Sequence, residues 1–179
     1  MAIKDGSYDI GTILGRMREE YWQGLSDQEA EAHELLDCLL FRLGGERYAF
    51  ETQYACEVIR IPKLVRVPGV QSLISGIFNL RGEITAAMDI RPLLGLREPE
   101  LTAAGRVLVV RSDAFATGLL VEAALGVQGL SFESFEPAAA SGSDGQFSRG
   151  HFNDEQGPII LLDLEALLAS PEIMVGEEL

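Results

Sequence analysis

Residues 76–96 read Gly76-Ile-Phe-Asn-Leu-Arg-Gly82-Glu-Ile-Thr-Ala-Ala-Met88-Asp-Ile-Arg-Pro-Leu-Leu-Gly-Leu96. An apolar run ends in a polar tip, Asn79 to Arg81, and Gly82 supplies turn chemistry. Beyond it, Ile84, Ala86, Met88 and Ile90 alternate with Glu83, Thr85 and Asp89, the period of a strand with one buried face. The stretch therefore predicts a strand pair, Ile77–Leu80 and Glu83–Met88, followed by a Leu-Leu turn.

Displaced by 74 residues, the same stretch meets a second copy. Gly76-Ile-Phe78-Asn79 aligns with Gly150-His-Phe152-Asn153, and Asp89-Ile-Arg-Pro-Leu93-Leu94 aligns with Asp163-Leu-Glu-Ala-Leu167-Leu168, without a gap. Duplicated substructure explains the match. It predicts that Asp89 and Asp163 cap short helical turns, and that Asn79 and Asn153 each bond turn backbone. It also isolates what the frame does not need: Leu80, Arg81, Gly82 and Arg91 have no counterpart, and Glu155 stands where Arg81 does.

Outward from this core, the chain reads as many short strands. Leu39–Leu43 and Arg47–Glu51 flank Gly44-Gly45-Glu46, a hairpin. Cys56–Ile61 is a strand stopped by Pro62, residues 65–67 are a short extended piece, and Val70–Ser75 suits a helical turn. Val107–Arg111, Thr117–Glu122, Val127–Phe132 and Ile159–Leu162 continue the series. Residues 137–146 are a loop by composition, and 165–169 a short helix. Such spacing predicts a mainly β fold of small barrels or a sandwich.

The N-terminal segment has a different period. Ile10, Ile13, Leu14, Met17, Tyr21 and Leu25 form one helical stripe, and Ser26-Asp-Gln-Glu29 is a capping box opening a second helix from Asp27 to about Asp37. Residues 1–38 are thus expected as a helical extension, either an accessory pair covering a sheet edge or an added docking surface anchored by Met17, Tyr21 and Trp22. Residues 39–173 form the β domain and 174–179 a tail.

Composition limits the chemistry. The 179 residues carry a net charge of −14, which disfavours nucleic acid as a partner. Ten of the 14 cations lie within residues 39–111, so the acidic body carries an electropositive region around the opening stretch. No apolar run approaches the length of a membrane span, and no signal-peptide pattern is present. Two cysteines, Cys38 and Cys56, fit a reduced cytoplasmic setting. The two histidines, His33 and His151, have no ligand spacing around them, and no phosphate-binding glycine motif occurs. No metal, cofactor or nucleophile is expected. An enzyme would have to pair Asp89 with Asp163 in one pocket, against their expected roles as caps.

Phe41-Arg-Leu-Gly44, Tyr48-Ala-Phe, Glu57-Val-Ile, Val67-Pro68, Gly76-Ile-Phe-Asn-Leu-Arg-Gly82 and Met88-Asp-Ile-Arg91 together resemble the CheW family of chemotaxis coupling proteins, from about Leu39 to Ile173. The resemblance implies two SH3-like five-stranded β-barrel subdomains, interleaved around the repeats at 76–94 and 150–168. It implies a cytoplasmic adaptor, not an enzyme, found at receptor arrays. Such an adaptor links the hairpin tip of methyl-accepting chemoreceptors to the regulatory domain of a CheA-type histidine kinase, with no direct membrane insertion. A related reading is the same scaffold in a type IV pilus or other sensory pathway. The residues implied in partner binding are Glu57, Asn79, Leu80, Arg81, Gly82 and, through its place in the motif, Arg91. The family pattern has Asp where this chain has Glu122, and Pro-Val where it has Ala87-Met88.

Overall fold

The computed structural model describes residues 35–97, 100–139 and 145–173. The helices expected before Leu35 and the tail after Ile173 lie outside the described residues. The strands are β1 (Leu35–Leu43), β2 (Glu46–Glu51), β3 (Ala55–Arg60), β4 (Ile74–Leu80), β5 (Glu83–Met88), β6 (Arg106–Arg111), β7 (Ala116–Val121), β8 (Ala123–Ser131), β9 (Phe135–Pro137), β10 (Ser148–Asp154) and β11 (Gly157–Leu162). One α-helix, α1 (Leu164–Leu168), follows β11.

They form two sheets. One has the order β3-β6-β7-β5-β4, the other β8-β1-β2-β11-β10-β9. The first draws on contiguous chain, residues 55–121. The second combines the hairpin β1–β2 with the strands after residue 122, so one sheet is nested inside the sequence of the other. Their pairings match: an antiparallel hairpin (β6–β7 or β1–β2) lies parallel to the second strand of another hairpin (β4–β5 or β10–β11). The 74-residue offset holds residue by residue in the ladder, with Phe78 opposite Thr85 and Phe152 opposite Ile159. Both copies carry a register shift, at Ile74/Gly76 and Ser148/Gly150. At both glycines a neighbouring segment crosses closely. A Cβ on Gly76 would lie 2.8 Å from the Val65 carbonyl oxygen, and one on Gly150 2.3 Å from that of Glu136.

Alternation divides the core. Val107, Val109 and Leu120 pack with Phe78 and Ala87 inside the first sheet, while Leu40, Ala49, Phe152, Ile159 and Leu161 pack inside the second. The intervening residues, Leu108, Val110, Leu119 and Val121 from one sheet and Leu39, Phe41, Leu43 and Phe50 from the other, meet with α1 in a shared cluster. Hairpins β1–β2 and β6–β7 therefore bury both faces, which is why they read as continuous apolar runs.

Three local expectations are corrected. Leu35 to Cys38, assigned to the helical extension, belong to β1, because Cys38 and Leu39 enter cores on opposite sides of a sheet. Residues 74 and 75, expected in a helical turn, open β4, where Ile74 pairs with Met88. Ile84, expected inside, is 68% exposed, while Thr85 is buried. Ile84 does share a face with Ala86 and Met88, but it projects beyond the shared core that covers them.

Candidate protein-binding surface

The polar tip at Asn79–Gly82 forms as the turn chemistry predicts. Arg81 and Gly82 are the two loop residues of the β4–β5 hairpin, and both have positive φ, 53° and 95°. The Asn79 Oδ1 accepts from the Gly82 N–H at 2.8 Å. For Gly82 this conformation is free; for Arg81 it costs about 1 kcal/mol. Arg81 is the one non-glycine residue with positive φ among the described residues. Its side chain is 81% exposed, and its guanidinium donates to Glu57 Oε2 on β3 at 3.0 Å. The fold thus brings Arg81 and Glu57 together, from the two outermost strands of the five-stranded sheet.

The second tip differs. Asn153 does not bond the turn; its Nδ2 donates to Glu136 Oε1 at 3.0 Å, and Asp154 Oδ1 accepts from the Gln156 N–H instead. The Arg47 guanidinium forks onto Asp154 at 2.8 and 2.5 Å and also donates to the Gly157 carbonyl. That pairing, chiefly the hydrogen bond from Arg47, holds the Asp154 carboxyl below its ordinary pKa. One tip is bound back into the fold; the other presents a cation to solvent.

Two sequence candidates fall away from this surface. Arg91 is only 5% exposed, and its guanidinium grips Asp89 through Nε at 2.9 Å and Nη2 at 2.5 Å. Its charge serves the fold, because a buried guanidinium needs a carboxylate. Asp89 also caps the turn at 91–95 as expected, accepting from the Arg91 N–H at 3.1 Å, as Asp163 accepts from the Ala166 N–H at 2.9 Å; unlike Asp163, it holds an arginine side chain as well. Leu80 is half-buried and closes the end of the first sheet's inner core.

What parity along one strand could not reveal is the apolar ground beside the tip. Val65 lies in a strap that bridges to Ile77 of β4, Ile77 pairs with Ala86, and Asn79 pairs with Ile84. Paired residues share a face, so Val65, Ile77 and Ile84 line one outer surface next to Arg81. Val65 is 57% exposed. Lys63 and Arg66 on the strap are exposed and pair with no carboxylate among the described residues. Lys63, Arg66 and Arg81 are therefore exposed cations around this aliphatic ground.

A second recess lies elsewhere. A cleft of about 580 Å³ is walled by Gln53, Tyr54 and Cys56, by the β6–β7 turn from Arg111 to Phe115, and by Glu165, Leu168 and Ala169 of α1 and its end. Tyr54 Oη donates to Glu165 Oε2 at 3.4 Å across it. Burial, reinforced by the Glu165 carboxylate, raises the Tyr54 pKa, so the phenol remains a donor. Neither Asp89 nor Asp163 lines the cleft. Among the described residues no group of His, Cys, Asp and Glu could hold a metal ion, and no helix is long and apolar enough to cross a membrane.

Residues 37–172 match the CheW-like domain family. The chain belongs to that family. It is 33% identical over 86 residues to Chemotaxis protein CheW of Bacillus subtilis, a match covering 48% of this chain and 55% of the relative. It is 34% identical over 113 residues to Protein PilI of Pseudomonas aeruginosa, covering 63% of this chain and 62% of the relative. The matched segments thus span less than two thirds of these two curated relatives. The fold is similar to the crystal structure of scaffolding protein TtCheW from Thermoanaerobacter tengcongensis, with a TM-score of 0.69, 24% identity, and coverage of 77% of this chain and 95% of that one. The two SH3-like barrel subdomains expected from the CheW resemblance are thereby supported, one of five strands as expected and the other of six.

Proposed function

We propose that this protein is a cytoplasmic adaptor that works by binding alone, coupling chemoreceptor hairpin tips to the regulatory domain of a CheA-type histidine kinase at receptor arrays. The observation that carries this reading is Arg81. A long charged side chain occupies a left-handed position that glycine would fill without strain, and it stands exposed beside uncovered Val65 and Ile84 and half-buried Ile77. Strain of this kind marks a position where the side chain is required. A guanidinium over aliphatic ground pairs with a partner carboxylate while the ground is desolvated. Glu57 fixes the guanidinium for that contact, Asn79 and Gly82 shape the turn, and Leu80 supports it from within.

The patch is broad and built on sheet, so it suits the globular kinase domain. The cleft between β3, the β6–β7 turn and α1 suits a helix from the receptor tip, since Tyr54, Phe115 and Leu168 offer the apolar floor that an amphipathic helix seeks. The similarity to PilI favours a second reading, the same scaffold in a type IV pilus pathway; the kinase recovered with the protein from its own cells distinguishes the two.

Calorimetric titration with a CheA-type regulatory domain and with a receptor tip fragment tests the proposal. Both should bind, together and without competing. Binding of neither at about tens of micromolar would overturn the adaptor reading.

A further inference from the structure

The cleft has an apolar floor and charges on different walls. Arg111 stands at the end of β6, exposed, and pairs with no carboxylate among the described residues. Glu165 stands on α1, exposed, with the Tyr54 hydroxyl as its hydrogen-bond partner at 3.4 Å. The two do not form an ion pair with each other, although both line the same recess. Asp113 lies on the Arg111 side, at the tip of the β6–β7 turn. An apolar floor with like charges around it selects only for the opposite charge. A floor with a cation on one wall and a carboxylate on another also distinguishes the two ways round in which a helix can lie. Rim charges of this kind fix register and reject wrong partners more than they add affinity.

We propose that Arg111 and Glu165 set the direction of the helix in this cleft. The occupant is an amphipathic helix with its apolar stripe on Tyr54, Phe115 and Leu168. It carries a carboxylate on the side facing Arg111 and a cation on the side facing Glu165. This inference rests on the cleft being the receptor-tip site. The cation replaces Tyr54 as the partner of Glu165, and that 3.4 Å contact is long enough to yield to a charged donor. Asp113 opposes the attraction of Arg111 for a carboxylate, so it tempers the preference without reversing it.

The test uses the full chain and a receptor hairpin-tip fragment, with binding followed by calorimetry and folding by thermal melts. Arg111→Glu and Glu165→Arg are each expected to weaken binding at least about fivefold, with the melt unchanged because both side chains are exposed. Arg111→Glu/Glu165→Arg should bind the natural tip weakly and recover with a tip whose acidic and basic flanking residues have been exchanged. Asp113→Asn should tighten binding modestly. If the natural tip binds the original protein and both single variants equally, the direction-setting role is overturned while the adaptor role stands. If the natural tip does not bind the original protein at all, the receptor reading of the cleft falls, and this inference falls with it. Loss of binding in the single variants without recovery in the exchanged pair also overturns the proposal, because it points to a disturbed cleft and not to charge matching.

Discussion

Arg81 and Glu57 meet at 3.0 Å across the seam between β4 and β3, the two outer strands of a five-stranded sheet. The pair closes that seam at the surface, where Arg81 is largely exposed, so its direct worth to stability is below about 1 kcal/mol. On the proposed reading, its position beside an aliphatic patch matters more for recognition than for stability.

Arg81→Glu is therefore expected to leave the melting temperature nearly unchanged and to weaken the kinase regulatory domain by about 2 kcal/mol, roughly thirtyfold. The exchange Glu57→Arg/Arg81→Glu restores an ion pair with its charges reversed. Titration of this variant should still show weak binding. Recovery of full affinity would mean that the pair acts only within the fold.

Ile84 is 68% exposed and shares an outer face with Val65 and Ile77. Ile84→Lys removes apolar contact from that face without creating a cavity. Binding of the kinase domain should fall about tenfold, while denaturant unfolding shifts by less than about 0.5 kcal/mol. A receptor tip fragment, which the cleft should receive, should bind as before.

Arg91 behaves oppositely. Its removal leaves Asp89 without its guanidinium in a largely buried site, and breaking such a pair costs about 3–5 kcal/mol. Urea unfolding of Arg91→Ala should show that loss. At temperatures where the variant remains folded, its partner affinity should match that of the original protein, because the side chain faces inward.

Asp154 gives a pH dependence with a defined sign. Its carboxyl pKa is lowered in the folded protein, first by the hydrogen bond from Arg47, so the unfolded chain binds the proton more readily. The stability it contributes is present above the unfolded value near 3.8 and is lost as pH falls through the lower folded value. Unfolding measured from pH 6 down to about pH 2 should therefore decline less steeply for Asp154→Asn, which is also less stable at neutral pH.

The two cysteines should separate by reactivity. Cys38 is buried, and burial pushes its thiol up to about 12, whereas Cys56 is exposed at the cleft. A thiol reagent at pH 8 should modify Cys56 in the native protein and reach Cys38 only on unfolding. Mass spectrometry of the labelled peptides reads this directly.

The 74-residue repeat was legible because its matches sit where only certain residues serve. Gly76 and Gly150 allow a neighbouring backbone to pass, and Asp163 supplies cap oxygens. A second correspondence was not legible. The pairing of Phe41 with Tyr48 recurs as that of Val110 with Thr117, an offset of 69 residues. Core positions accept apolar residues of similar bulk, so β1–β2 and β6–β7 keep their geometry without keeping identity. The Glu122 carboxylate, where the family pattern has Asp, accepts from the Gly44 and Gly45 N–H groups at 2.7 and 3.2 Å. That departure thus has a structural use which no reading of its neighbours in sequence suggests.

The sequence by itself indicated most of the strands, the tip at Asn79–Gly82, the duplicated pair, the family and the standing of Arg81 as a residue outside the repeated frame, but not β9 nor the start of β8 at Ala123. Strands and tips follow from period and turn chemistry, the duplication from its constant spacing, and the family from the motifs that resemble those of CheW proteins. Only the tertiary structure decided which strands make up each sheet, that Arg91 turns inward to Asp89, and that Ile84 emerges beside Arg81 onto open ground with Val65. Those outcomes depend on where one sheet ends against another. That boundary is fixed by packing between residues far apart in the chain, and parity along a single strand carries no information about it.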